Sequence, residues 1–339
     1  GNQAITAYRT LDRLYSKVKY IWGDAGQTVN TAYLPGDGIG NPNLRWETTY
    51  TANIGLDFQL FKGRLGGTLE AYLSNTHDLL MMRTVPIMNG YSRIWDNIGQ
   101  TRNKGFEITL NSVNIDNRDL KWTTDLNFSL NRDKIIELRG DQIDDIVNKW
   151  FIGQPLRVHY DYNVIDLWQQ GDEYFYTDAN DKKIIGSQRP SFTMSMGNRF
   201  TYKDFYFSFL VNGVFGVWSE DNVANLGSWA YSTTNYVRGA NYWTPENINA
   251  DIVSPGYINT LGHAFYKKKD YVQVKNITLG YNISKDLVNK LHLSAVNVNL
   301  SINNLHTFSN MRQILNYDNS WMASYPTARS YMLGLNINF

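Results

Sequence analysis

Arg329-Ser-Tyr-Met-Leu-Gly-Leu-Asn-Ile-Asn-Phe339 alternates apolar and polar side chains up to a final aromatic. Tyr331, Leu333, Leu335, Ile337 and Phe339 fall on one face, and Met332, Gly334, Asn336 and Asn338 on the other. This is the period of two that a strand imposes, because successive Cβ atoms point to opposite sides. One apolar face and one largely polar face suit a wall between lipid and a wet lumen. The expectation upstream is therefore an all-β chain forming a transmembrane antiparallel β-barrel.

The alternation recurs along the chain. Tyr50, Ala52, Ile54, Leu56, Phe58 and Leu60 share one face, opposite Thr51, Asn53, Gly55, Asp57 and Gln59. After the turn Lys62-Gly63-Arg64, Leu65, Gly67, Leu69, Ala71 and Leu73 return, opposite Thr68, Glu70, Tyr72 and Ser74. Phe106, Ile108 and Leu110 lead through Asp116-Asn117-Arg118-Asp119 to Trp122, Thr124, Leu126, Phe128 and Leu130. Glu107, Thr109, Asn111, Asp125 and Asn127 lie on their polar side. Phe192, Met194, Met196, Phe200 and Tyr202 meet Phe205, Phe207, Phe209, Val211 and Phe215 around Lys203-Asp204. Ile277, Leu279, Tyr281 and Ile283 are answered by Val296, Val298, Leu300 and Ile302, with Asn297, Asn299, Ser301 and Asn303 opposite.

The connections alternate too. Short ones at 62 to 64, 116 to 119, 203 to 204 and about 284 to 290 trade with long ones at about 79 to 102, 133 to 189, 218 to 270 and 306 to 326. Outer-membrane barrels have short periplasmic turns and long extracellular loops, so this order sets the direction of each strand. Counting from residue 48 gives nine strands, the last descending to the periplasm. Single-chain bacterial barrels have even strand numbers, and an open edge in lipid leaves backbone groups unpaired. The nine are thus expected to belong to a larger barrel. Residues 1 to 44, Gly- and Asn-rich with little alternation, are expected to form an extracellular loop, and residues 45 to 339 the barrel wall. Asp57, Glu70, Glu107, Asp125 and Arg199 are expected on the hydrated, lumen-facing side.

Composition narrows the functional classes. Lys plus Arg number 32 against 31 Asp plus Glu, and a net charge of +1 makes no electrostatic case for nucleic acid. With no Cys, disulfides and thiolate metal sites are excluded. There is no run of eighteen apolar residues for a membrane helix, and a mean hydropathy of -0.41 is compatible with strands that alternate. His77, His159, His263, His292 and His306 show no metal-ligand spacing, and there is no Gly-x-Ser-x-Gly elbow or phosphate loop. Asp172-Glu173 and Asp178-Ala-Asn-Asp181 lack the spacing and closing Glu of a calcium loop, with Lys182 and Lys183 there instead, and read as a polar turn. No catalytic residue, metal or cofactor is expected, and no enzyme activity.

Aromatic residues make up 14% of the chain, with 23 Tyr and 10 Trp, enough for interfacial girdles or stacking platforms. Trp229, Tyr231, Tyr236, Tyr242 and Trp243 crowd one long loop, interleaved with Asn235, Arg238 and Asn241, while Trp95, Trp168 and Trp321 lie in three others. Flat rings bordered by amides and a guanidinium suit the apolar faces and polar edges of a sugar, so these are the candidate substrate-binding residues. The competing reading is that the rings pack the loops together or against a partner.

Several segments carry a family resemblance. Gly40-Asn-Pro-Asn-Leu-Arg-Trp-Glu47, Asn97-Ile-Gly99 with Asn103-Lys-Gly-Phe-Glu107, and Tyr242-Trp-Thr-Pro-Glu-Asn247 resemble signatures in the C-terminal half of SusC/RagA-type TonB-linked outer-membrane proteins. So do Val274-Lys-Asn-Ile-Thr-Leu-Gly-Tyr281 and Tyr325-Pro-Thr-Ala-Arg329. The matches run in order along essentially the whole chain. The resemblance implies a barrel of about 22 strands closed by an N-terminal plug, of which this chain supplies the last nine. It implies import of oligosaccharides or peptides across the bacterial outer membrane, with a SusD-type surface lipoprotein above the barrel and the TonB complex acting through regions outside this chain. It also implies membrane lipid around the wall and the rest of the barrel and plug as partners. The alternative is a secreted or surface β-rich glycan-binding protein without transport activity. That reading leaves rows such as Phe205-Phe207-Phe209-Val211 unexplained unless a second sheet covers them.

Overall fold

The computed structural model describes residues 10–11, 14–22, 27–35, 39–86, 88, 91–138, 142–162, 164–170, 173–176, 182–221, 241, 243–247, 250, 264–290, 292–309 and 327–338. Nine strands form one antiparallel sheet: β1 (Thr48–Leu60), β2 (Leu65–Thr84), β3 (Arg93–Asp116), β4 (Leu120–Leu138), β5 (Phe192–Tyr202), β6 (Phe205–Phe215), β7 (Tyr271–Asn282), β8 (Ala295–Ser309) and β9 (Ser330–Asn338). Each strand lies beside its neighbour in sequence, as the alternation and the turns lead one to expect. Phe339 is outside the described residues. The segment read as a loop, 1 to 44, contains a separate hairpin of Leu14–Trp22 with Gln27–Pro35.

The chain divides into two compact units, one of Gly1–Asn53, Tyr72–Lys104 and Arg132–Leu156, the other of Ile54–Ala71, Gly105–Asn131 and Arg157–Phe339. In the second unit the register aligns side chains into rows across strands. Trp122, Phe200, Phe207, Leu279, Leu300 and Leu333 are successive cross-strand partners. The row beside it reads Thr123, Arg199, Ser208, Thr278, Ser301 and Met332. Apolar and polar rows thus alternate on opposite faces of the pleat, as the period of two requires. Ring pairs reinforce the apolar row, with Trp122 stacked on Phe200 at 5.2 Å. Hydrogen bonds tie the polar rows together: Thr278 Oγ1 lies 2.9 Å from Ser301 Oγ, and Asn276 Nδ2 donates to Asn303 Oδ1 at 2.7 Å.

The apolar face is open rather than packed. Phe205 is 54% exposed, Leu279 52% and Leu333 80%. Leaving such rows in water would forgo roughly 1.5 to 3 kcal/mol per large side chain, which a surrounding hydrocarbon layer recovers. Dry packing among the described residues is confined to strand ends and connections. Ile135, Leu138 and Phe151 are buried in the first unit, and Val158, Trp243, Ala250 and Phe265 in the second. Val288, on the six-residue helix Lys285–Lys290 that joins β7 to β8, is buried, as is Val296.

Three local features depart from the simple alternation. The connection expected over 79 to 102 is mostly strand, since β2 runs to Thr84 and β3 starts at Arg93, with Val85 N donating to Ser92 O at 2.9 Å. Backbone pairing continues there after the side-chain period lapses, because only a strand with lipid on one face needs its two faces to differ. A bulge in β7 places Lys275 outside the pairing register: against β6, Val274 and Asn276 pair with the adjacent Val211 and Leu210, while against β8 they pair with His306 and Asn303, so that Asn304 and Leu305 face Lys275 there. It shifts the phase by one residue, so Val272 and Val274 join the same apolar face as Ile277 and Leu279. Finally, Asn198 stands in the apolar row of β5 yet is buried, accepting hydrogen bonds from Trp122 Nε1 at 2.9 Å and Thr124 Oγ1 at 2.7 Å. Its oxygen is thereby satisfied where lipid offers no donor.

Candidate functional site

Two short hairpin stems in the second unit carry the loops on either side of β5 and β6. Val158–Tyr162 pairs with Lys182–Ser187, and Trp218–Glu220 pairs with Tyr266–Lys268. Asp161 connects them. Its Oδ2 accepts from Ala264 N at 3.1 Å and Tyr266 Oη at 3.0 Å, and its Oδ1 from Tyr162 N at 2.9 Å. His159 Nε2 lies 3.0 Å from Trp218 O, and the His159 and Tyr266 rings are 4.6 Å apart. Gly186 leaves room for the Trp218 indole, which a Cβ would overlap. Burial, and then the charge of Asp161 beside it, push the Tyr266 phenol above its ordinary value. Its O–H therefore remains a donor throughout the physiological range.

The polar face of the same unit holds two grooves. One of about 570 Å³ is lined by Glu107, Asn127, Ser129, Thr193, Asn212, Gln273 and Lys275 among others, the bulge residue included. The other, about 650 Å³, is lined by Asp57, Gln59, Thr68, Asn111, Thr123 and Asp125 among others. Asp57 accepts from Thr68 Oγ1 at 2.6 Å, and Glu107 from Ser129 Oγ at 3.3 Å. Glu70 packs beside Gly55. The Arg199 guanidinium stacks over the Tyr206 ring at 4.4 Å. Leu210, Val214 and Tyr271 in the first groove and Phe58 and Val113 in the second interrupt the hydroxyls, amides and charges, and such a mixed concave surface can hold hydrated solutes or another protein segment. Among the described residues no cluster of His, Asp and Glu could hold a metal ion.

In the first unit, the motif segments turn out to clasp one another. Asn41 Nδ2 donates to Trp95 O at 2.9 Å. Asn97 takes Arg45 N on its Oδ1 at 2.8 Å and donates through Nδ2 to Arg45 O at 2.9 Å and Asp78 O at 2.7 Å. Glu47 Oε1 accepts from Leu80 N at 3.0 Å, and Arg83 pairs with Asp96 at 3.3 Å. These residues hold the entry to β1 in place. We expect Asn97→Ala, which removes three of these bonds, to cost roughly 1 to 3 kcal/mol locally. Amide exchange at Arg45 should accelerate while the sheet stays assembled; unchanged exchange there would refute the clasp.

The candidate binding aromatics are divided. Trp95 is half-buried in β3 and Trp243 is 6% exposed, each with an indole Nε1 buried without a hydrogen-bond partner among the described residues. Asn241 Oδ1 accepts from Asn247 Nδ2 at 2.6 Å, closing the turn around Trp243. Trp168 belongs to the strand Val164–Gln170. Trp229, Tyr231, Tyr236, Arg238, Tyr242 and Trp321 lie outside the described residues, as do His263 and the segment 177 to 181. The Asp161 junction is the part that reading the sequence missed, because nothing local marks residues that meet across such a separation.

The profile of the family described as TonB dependent receptor-like, beta-barrel, matches residues 3–305. TonB-dependent receptor P3 of Formosa agariphila is 32% identical over 100% of this chain and 38% of its own length. TonB-dependent receptor SusC of Bacteroides thetaiotaomicron is 26% identical over 88% of this chain and 32% of its own. Among solved structures, the RagAB peptide transporter superposes with a TM-score of 0.76 at 21% identity, covering 100% of this chain and 40% of that one. The chain thus spans about two-fifths or less of the length of the relatives it matches.

Proposed function

Since the chain belongs to the TonB-dependent receptor-like β-barrel family, of the SusC/RagA type and at home in the bacterial outer membrane, we propose that it forms part of an importer of oligosaccharides or peptides. The observation that carries this reading is the register of the sheet. Among the described residues the apolar rows face one way and stay largely exposed, and both grooves open on the polar face, as a wall between lipid and an aqueous passage demands. In this reading residues 45 to 339 form the wall and residues 1 to 44 an extracellular segment before its first complete strand. Asp57, Glu70, Glu107, Asp125 and Arg199 line the lumen. The family is one of transporters, and in this reading the chain serves as part of one.

A SusD-type surface lipoprotein is the proposed partner, seated on loops 133 to 189 and 218 to 270, with the TonB complex driving release. Trp229, Tyr231, Tyr236, Arg238, Asn241 and Tyr242, with Trp95, Trp168 and Trp321, supply rings and polar edges to substrate or partner, and Trp243 is the buried anchor of its loop. Deleting residues 228 to 243 should weaken lipoprotein co-purification and nutrient uptake several-fold and leave the barrel folded, because strand pairing does not depend on that loop. Wild-type levels of both, with heat-modifiable gel mobility intact, would remove the loop from the reading.

A further inference from the structure

The two loop stems are too short to stand alone, since an isolated two-stranded hairpin is marginal in water. Each is held by the other: the carboxylate of Asp161 receives donors from both, His159 reaches the Trp218 carbonyl, and the indole of Trp218 fills the space above Gly186. We propose that Asp161 is a positioning residue that makes the two stems a single body, so that lipoprotein seated above one stem also orders the other. This rests on the reading of these loops as the lipoprotein's seat. The charged acceptor is the strongest link of the set, because hydrogen bonds to an ionised oxygen exceed neutral ones. The raised phenol of Tyr266 keeps its proton for that bond. Removing the carboxylate therefore releases both stems, whereas a residue that merely stabilised its own hairpin would release one.

The test uses the full-length transporter purified with the surface lipoprotein. Asp161→Ala is expected to raise amide exchange about tenfold in both stems, at 182 to 187 and at 264 to 268, and to lower lipoprotein recovery while the barrel keeps its heat-modifiable mobility. Asp161→Asn, with one acceptor oxygen left, falls between, and it carries the test if the alanine variant does not assemble. Adding Tyr266→Phe to Asp161→Ala changes nothing further, since their shared bond is already gone. Faster exchange confined to 158–162 and 182–187 overturns the proposal. Faster exchange in both stems with full lipoprotein recovery overturns the positioning role, provided that deletion of 228 to 243 lowers recovery in parallel. If that deletion also leaves recovery intact, the seat itself is misassigned, and the exchange result alone decides whether the stems are one body.

Discussion

Phe209→Arg is expected to destabilise the assembled barrel by about 2 to 4 kcal/mol, the cost of a guanidinium near the middle of a lipid-facing strand. Phe209 sits mid-strand in β6 and is flanked across the sheet by Asn198 and Ile277. The effect should fall with depth. Phe205→Arg, beside the turn at Lys203-Asp204, should cost roughly 0 to 1 kcal/mol because the side chain can reach the headgroups. Asn212→Arg, in the same strand and nearer that depth, offers the control on the opposite face, where it lines the same groove as Glu107. There the new charge meets water, with the carboxylate of Glu107 and the ammonium of Lys275 in the same groove, so the change should stay within about 0.5 kcal/mol. Urea titration of the three variants in vesicles measures the order. Equal losses for Phe209→Arg and Asn212→Arg would overturn the assignment of faces.

Gly280→Val should cost about 1 to 3 kcal/mol through overpacking, although valine favours strands. A Cβ at Gly280 would overlap the Tyr206 ring. That ring carries the Arg199 guanidinium on its face and donates through its hydroxyl to Asn297 Oδ1 at 3.3 Å. Displacing it breaks both links on the polar wall. An aromatic ring laid over a strand glycine is a recurrent way of filling the space that a missing side chain leaves. Tyr206→Ala should therefore rescue Gly280→Val, making the pair strongly non-additive. Additive losses in the double variant would mean that the ring and the glycine do not share the site.

Much of the wall is legible in the sequence alone. Rows such as Phe205-Phe207-Phe209-Val211 and Tyr331-Leu333-Leu335-Ile337 reappear as the open apolar face, and the nine strands pair in chain order. Alternation is a local property: it follows from the pleat of one strand and needs no knowledge of the neighbour. The turns are local as well, with Lys62, Gly63 and Lys203 at positive φ where the chain reverses. What the tertiary structure alone decided is everything that depends on which residue stands opposite which. The bulge at Lys275 merges two out-of-phase segments of β7 into one face, and Asn198 is tolerated there because Trp122 and Thr124 reach it from β4. Asn97 and Arg45 explain each other only as a pair. Asp161 finds Tyr266 across 105 residues. Such pairings are set by strand register and loop closure, which sum many weak choices along the chain, so no single segment carries their signature.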